Sequence, residues 1–210
     1  MQHRVSPRLD RIITVSERSA RDIHRLMKVS RDKIRVILNG VDTEFFRHDS
    51  LPREPQRLIM VSSGNGRTKG LNFLLQALVK IKDETDARLT VVGNNSPDAE
   101  PSRLAREYGL QDRVTFTGRI ERTELARLYA TADIAVVPSL HEGFGLPAAE
   151  AMSSGLPVIS TRAGALPEVV GEDGRAGILI PSADPDALAA ALRTLLGNEE
   201  LRRRMGEAGR

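Results

Sequence analysis

At 210 residues, with 40% hydrophobic and 28% charged side chains, the chain is long enough for one globular domain, or one domain and part of a second. It contains no cysteine, which excludes disulfide frameworks, thiolate metal sites and cysteine nucleophiles, and its four histidines (His3, His24, His48, His141) are too scattered for a metal cluster. No apolar run reaches the ~18–20 residues of a membrane span, and the first residues lack a signal peptide's apolar core, so a cytosolic location is expected.

The net charge is +3, but residues 1–35 carry ten Lys/Arg against four acids, a local balance of +6, so the remainder sums to −3. A basic end of this kind can meet nucleic acid or anionic lipid. Aromatic residues are only 3% of the chain and Trp is absent, so the stacking platforms of single-strand binders are missing. A solvated basic face, or one that touches a membrane surface, fits better than a nucleic-acid partner.

In chain order, residues 11–15 predict a strand and 17–27 a helix with Ser16 as N-cap. A second strand, 34–38, stops at Asn39-Gly40. The polar, proline-containing stretch 48–56 has no periodicity and predicts a linker. Beyond it, strands are predicted at 58–62, 89–92, 114–117, 134–137, 158–161 and 178–180. Helices are predicted at 71–81, 102–108, 123–130, 147–153, 186–196 and 199–208. Short, continuously apolar strands separated by amphipathic helices predict an α/β fold. It is a Rossmann-like parallel sheet with helices on both faces, doubly wound over about 57–210. In such sheets ligands bind at the carboxyl ends of the strands, which directs attention to the loops 62–70, 93–101, 118–123, 138–145 and 161–167.

The loop Ser62-Ser-Gly-Asn-Gly-Arg-Thr-Lys-Gly70 joins a strand to a helix. Gly64, Gly66 and Gly70 allow close backbone approach, and Arg67 and Lys69 bring cations to a helix N-terminus, which suits an anion such as phosphate. It is not a Walker A loop, because the Lys precedes the last Gly. The alternative is a plain connection with solvated basic side chains. The loop Pro138-Ser-Leu-His-Glu-Gly-Phe-Gly-Leu-Pro-Ala-Ala-Glu150 is more specific. Glu142 lies in the loop and Glu150 about one turn inside the next helix, so both carboxylates can face one crevice. Residues 143–148 also match G-x-G-x-x-A. The preceding strand ends too far upstream for a dinucleotide turn, and no acid lies about 20 residues beyond it on a following strand end.

Glu142…Glu150 in this context resembles the E-x7-E donor signature of retaining GT-B glycosyltransferases, of the large family (glycosyl transferases group 1, family 4) containing bacterial mannosyl- and glucosyltransferases and sucrose-phosphate-synthase-like enzymes. Ile13-Thr-Val-Ser-Glu17, Asn39-Gly-Val-Asp42, Lys69-Gly70 and Gly155-Leu-Pro-Val-Ile-Ser-Thr161 running on to Pro167-Glu168 agree in order and spacing. The resemblance thus spans nearly the whole chain. It implies that residues 51–210 are the nucleotide-sugar-binding C-terminal domain of a GT-B fold. Residues 1–50 would be the last strand–helix–strand of the acceptor domain plus a linker. About half of a family member would be absent, and the chain reads as a truncated product, inactive on its own.

The resemblance also assigns roles. Glu150 would accept bonds from the donor ribose, each charge-assisted bond contributing roughly 1.5–3 kcal/mol. Glu142 would lie beside the transferred sugar. The amides of Gly143, Phe144 and Gly145, with the helix start at Leu146, would hold the pyrophosphate, and Lys69 would offset charge on the leaving phosphate. Gly118, Arg119 and Ile120 would meet the base. Many relatives carry an Arg where this chain has Gly64, which makes Arg67 the candidate replacement cation; Ala165 stands where relatives often have Gly.

The implied reaction is transfer of a hexosyl group from a nucleoside-diphosphate sugar with retention, the donor being a co-substrate, with neither cofactor nor metal expected. The acceptor would be a lipid, a glycan or a small molecule. Relatives acting on lipids work at the inner face of the membrane, where the basic start could make peripheral contact. Two other readings stand beside this one: a nucleotide-sugar-binding module without catalysis, and a GT-B nucleotide-sugar epimerase.

Overall fold

The computed structural model describes residues 9–47, 51–62, 68–93 and 99–210. A small first unit consists of β1 (Ile12–Thr14), α1 (Glu17–Met27), a 3-10 turn at Arg31–Lys33 and β2 (Ile34–Val36), the two strands pairing in parallel. Ser16 caps α1 by accepting from the Ser19 amide at 3.1 Å. Ala20, Val29 and Ile34 form a small core beneath it.

The second unit runs β3 (Arg57–Val61), α2 (Leu71–Ile81), β4 (Arg88–Val92), α3 (Glu100–Glu107), β5 (Val114–Gly118), α4 (Arg122–Thr131), β6 (Ile134–Val137), α5 (Leu146–Ser153), β7 (Val158–Thr161), α6 (Leu166–Val170), β8 (Gly177–Ile180), α7 (Pro185–Leu196) and α8 (Glu199–Gly209). Its six strands are all parallel, in the order β5-β4-β3-β6-β7-β8. The chain starts in the middle, steps outward to β5, then returns to lay β6 on the other side of β3. The first and second halves of the winding therefore diverge between β3 and β6, and leave a crevice at their carboxyl ends.

Alternation along the strands builds two cores. Leu58 and Met60 of β3, with Ile134 and Val136 of β6, pack under α2 and α7. Ile59, with Ala135 and Val137, faces the opposite way, against Tyr129, Ala148, Ala151 and Leu166. Strands buried on both faces have no polar face to display, which is why the sequence reads as apolar runs instead of alternation. Most predicted bounds agree with the structure within a residue or two. Two short elements, the turn at Arg31–Lys33 and helix α6, form where only loop was expected. The described part of the linker, 51–56, is tied down: the Glu54 amide donates to the Thr131 carbonyl and the Gln56 amide to Asp133, each at 2.8 Å. No helix among the described residues is long and apolar enough to cross a membrane.

The first unit rests on the second at two places. Phe46, only 2% exposed, enters the core beside Tyr129, with ring centroids 5.9 Å apart, and its carbonyl accepts from the Ser153 hydroxyl at 2.5 Å. The N-terminus of α1 meets the loop before α5 and helix α6, described next.

Candidate functional site

Glycine decides how the two loops at the crevice approach one another. Gly70, at φ +74, ends the loop after β3, and a Cβ there would stand 1.9 Å from the Pro138 carbonyl oxygen. Only a residue without a side chain lets the loops after β3 and β6 come this close. Beside it the Leu140 amide donates to the Thr68 carbonyl at 2.8 Å. Backbone contact therefore joins the two loops across the switch point.

That contact sets Lys69 against Glu142. Lys69 Nζ lies 2.7 Å from Glu142 Oε2, with the two side chains only 16% and 13% exposed. The Ser139 hydroxyl donates to the same oxygen at 3.4 Å. Glu142 is also fixed from behind, since its carbonyl accepts the Ala165 amide at 3.0 Å. A largely desolvated ion pair with both backbones held differs from the exposed pairs elsewhere on the surface, which water and side-chain entropy weaken.

Gly145, at φ +107, turns the chain into α5, and its carbonyl accepts the amides of Ala148 and Ala149 at 2.9 and 3.1 Å. The amides of Gly143, Phe144, Gly145 and Leu146 have no acceptor among the described residues. The Gly143 carbonyl accepts from the Ser16 hydroxyl at 3.0 Å. In a trans peptide this turns the Phe144 N–H the opposite way, away from α1. Free amides, a helix start and a lysine together make a locus for a multiply charged anion.

Glu150 lies in the second turn of α5, half-buried. The hydroxyl of fully buried Tyr129 donates to it at 3.4 Å and to the Pro147 carbonyl at 3.3 Å. Burial pushes the Glu150 carboxyl above the usual range, while Tyr129 and the positive charge of Arg122 pull it part of the way back. Arg122 is itself placed by stacking on Phe45, 4.2 Å from the ring centroid, and by Asp42 at 3.7 Å.

Gly118, at φ +72, closes β5 on the same rim, where its carbonyl accepts the Gly93 amide at 3.0 Å. Arg119 is exposed and Ile120 half-buried against the second core. The structure thus brings Lys69 and Glu142 together in the loops that follow β3 and β6, with 143–146 next along the second of these loops and Glu150 one turn into α5, while 118–120 follow β5. Gly64 and Arg67 lie outside the described residues. Among the described residues no three His, Asp or Glu side chains converge as a metal cluster.

Four residues with structural parts at this site had no role assigned from sequence. Tyr129 and Arg122 attend Glu150, and Gly164 admits the Glu142 carbonyl. Glu168 takes the amides of Glu17 and Arg18 at 2.8 and 2.7 Å, capping α1 from the other unit. Only the Pro167-Glu168 pair carried a sequence signal, as part of a motif.

The family model for "Glycosyl transferases group 1" matches residues 42–210, and that for "Glycosyltransferase Family 4" matches residues 1–45. The chain belongs to the glycosyl transferases group 1 family. Among its glycosyltransferase relatives, the MMP alpha-(1->4)-mannosyltransferase of Mycolicibacterium hassiacum is 41% identical over 213 residues, covering 100% of this chain and 51% of that protein. The D-inositol 3-phosphate glycosyltransferase of Corynebacterium glutamicum is 37% identical over 194 residues, 84% of this chain and 46% of that protein. Sucrose-phosphate synthase from Thermosynechococcus elongatus superposes with a TM-score of 0.86 at 31% identity, over 99% of this chain and 54% of that one. The chain spans about half the length of the curated relatives it matches. Within this glycosyltransferase family the α/β fold with a six-stranded parallel sheet is the one expected from sequence.

Proposed function

We propose that the chain supplies the donor side of a glycosyltransferase that moves a hexosyl group from a nucleoside-diphosphate sugar to an acceptor with retention of anomeric configuration. The observation that carries this reading is the Lys69–Glu142 contact beside four amides that meet no acceptor among the described residues, at the switch point of the sheet. The amides of 143–146 bind the diphosphate and Lys69 neutralises the charge that grows on it as the glycosidic C–O bond breaks. At an effective dielectric near 20 a unit pair at 4 Å is worth about 4 kcal/mol, enough to govern rate. Glu142 faces the sugar, where it holds hydroxyls and stabilises positive charge at the anomeric carbon. Glu150, steadied by Tyr129, takes the ribose hydroxyls, and 118–120 receive the base.

In the retaining course, the acceptor oxygen forms its bond to the anomeric carbon on the face the diphosphate leaves, and the departing phosphate oxygen takes the acceptor proton. Divalent metal has no step in this reading, since lysine and oriented amides carry the charge. Residues 1–50 belong to the acceptor side, and the acceptor is a lipid, glycan or small molecule. The arginines of α1 are suited to an anionic membrane surface.

The test is a thermal-shift and calorimetry panel of UDP-, GDP- and ADP-sugars on wild type and Lys69→Ala. Binding by wild type, weakened at least tenfold by Lys69→Ala (about 1.4 kcal/mol), supports the reading; no binding of any of them sinks it. A second reading is that this stretch of chain binds the donor without turnover. Hexose transfer by this chain, with product stereochemistry read by NMR, separates the two.

A further inference from the structure

The geometry points to Glu142 as the residue that tells the intact donor from the nucleoside-diphosphate product, by withdrawing Lys69 from the diphosphate when no sugar is present. The inference rests on the donor reading above and adds a product-release role to the same site.

Among the described residues Lys69 has one partner for its ammonium, Glu142 Oε2 at 2.7 Å. The pairing is built in by two backbones. Lys69 stands between Thr68, whose carbonyl holds Leu140, and Gly70, pressed on Pro138. Glu142 is held through its own carbonyl by Ala165, and Gly164 leaves no room for that loop to carry a side chain. An entering diphosphate meets a cation already neutralised by a carboxylate, at a place with little water to screen the two anions from one another.

What the carboxylate does next depends on the sugar. An ionised carboxylate only accepts hydrogen bonds, and a hexose offers hydroxyl donors. With the intact donor bound, those hydroxyls satisfy Glu142 and the ammonium, which has three N–H donors, turns to the phosphate. Once the hexose has left with the acceptor, the remaining described neutral donor to Glu142 Oε2 is the Ser139 hydroxyl at 3.4 Å, a long contact. Glu142 then reclaims Lys69, the diphosphate loses its cation, and the product departs. Free diphosphate thus binds against the carboxylate, and the sugar conjugate binds with its help.

The experiment is isothermal titration of UDP, UDP-glucose, GDP and GDP-mannose into wild type, Glu142→Gln, Glu142→Ala, Lys69→Ala and Lys69→Ala/Glu142→Gln. Both Glu142 variants should bind the free diphosphate roughly tenfold more tightly than wild type, and the sugar conjugate no more tightly. The gain should vanish in the double variant, because it acts through Lys69. Binding of the conjugate by the Glu142 variants reports that they are folded. Free diphosphate binding that is unchanged or weaker in the Glu142 variants, or an equal gain for the conjugate, overturns the inference. Failure of the donor reading looks different: wild type then binds none of the four compounds.

Discussion

The carbonyl oxygen of Glu142 lies 1.8 Å from where a Cβ on residue 164 would stand, so the loop after β7 holds the loop after β6 only because position 164 is glycine. Gly164 also sits at φ +56, where a side chain adds strain of its own. Gly164→Ala should therefore cost about 2–4 kcal/mol in urea denaturation. It should also weaken nucleotide-sugar binding, because Glu142 and Ala165 are pushed apart. An unchanged midpoint would mean that the loop yields freely and that Glu142 is not held by this contact.

Glu168 joins the two units through backbone amides of α1. Its two carboxylate oxygens accept from Glu17 and Arg18, and Arg21 stands 3.7 Å away. Glu168→Ala should leave those amides to water, raising their hydrogen-exchange rates by about fivefold, in keeping with a cap worth ~1 kcal/mol. Exchange in β6 and β7 should not change. Equal protection of the Glu17 and Arg18 amides in wild type and variant would refute the clamp.

Glu150 gives a prediction with a definite sign in pH. Burial raises its folded-state pKa, so the ionised carboxylate costs stability at neutral pH, and the cost disappears as pH falls through that raised value. Glu150→Gln removes the charge and leaves an oxygen for the Tyr129 hydroxyl. The variant should melt slightly higher than wild type at pH 7, by less than about 1 kcal/mol, and the difference should close toward about pH 4. In the same variant calorimetry should show weaker donor binding. Lower stability of Glu150→Gln at neutral pH would contradict this balance.

Phe46 anchors the segment that leads out of the first unit. It is nearly fully buried, and its ring packs edge-on against Phe45 and Tyr129 at 5.1 and 5.9 Å. Phe46→Ala should cost about 3–5 kcal/mol by calorimetric unfolding. It should also loosen Arg122, whose guanidinium lies over the rings of Phe45 and Phe46, and so alter the surroundings of Glu150. A loss under 1 kcal/mol would show that the segment leading out of the first unit docks independently of this side chain.

Much of the architecture was legible along the chain, because buried parallel strands and amphipathic helices write their period directly into residue order. Ser16 as a cap and β6 over 134–137 are instances, since each depends on neighbours only a few positions away. Helix α6 was not legible: five residues with a proline near the start carry too little periodicity to stand apart from a loop. The Glu168 contact with α1 was equally hidden, joining positions some 150 residues apart.

By itself the sequence determined the fold class, the rim on which ligand-binding loops must lie and the two glutamates worth watching, because these follow from local pattern and from the topology it permits. Tertiary structure alone decided that Lys69 meets Glu142, that Tyr129 supports Glu150 and that glycines 70 and 164 admit foreign carbonyls. Those facts depend on which segments pack together and on how much water their contact excludes, and neither is encoded in any one stretch of chain.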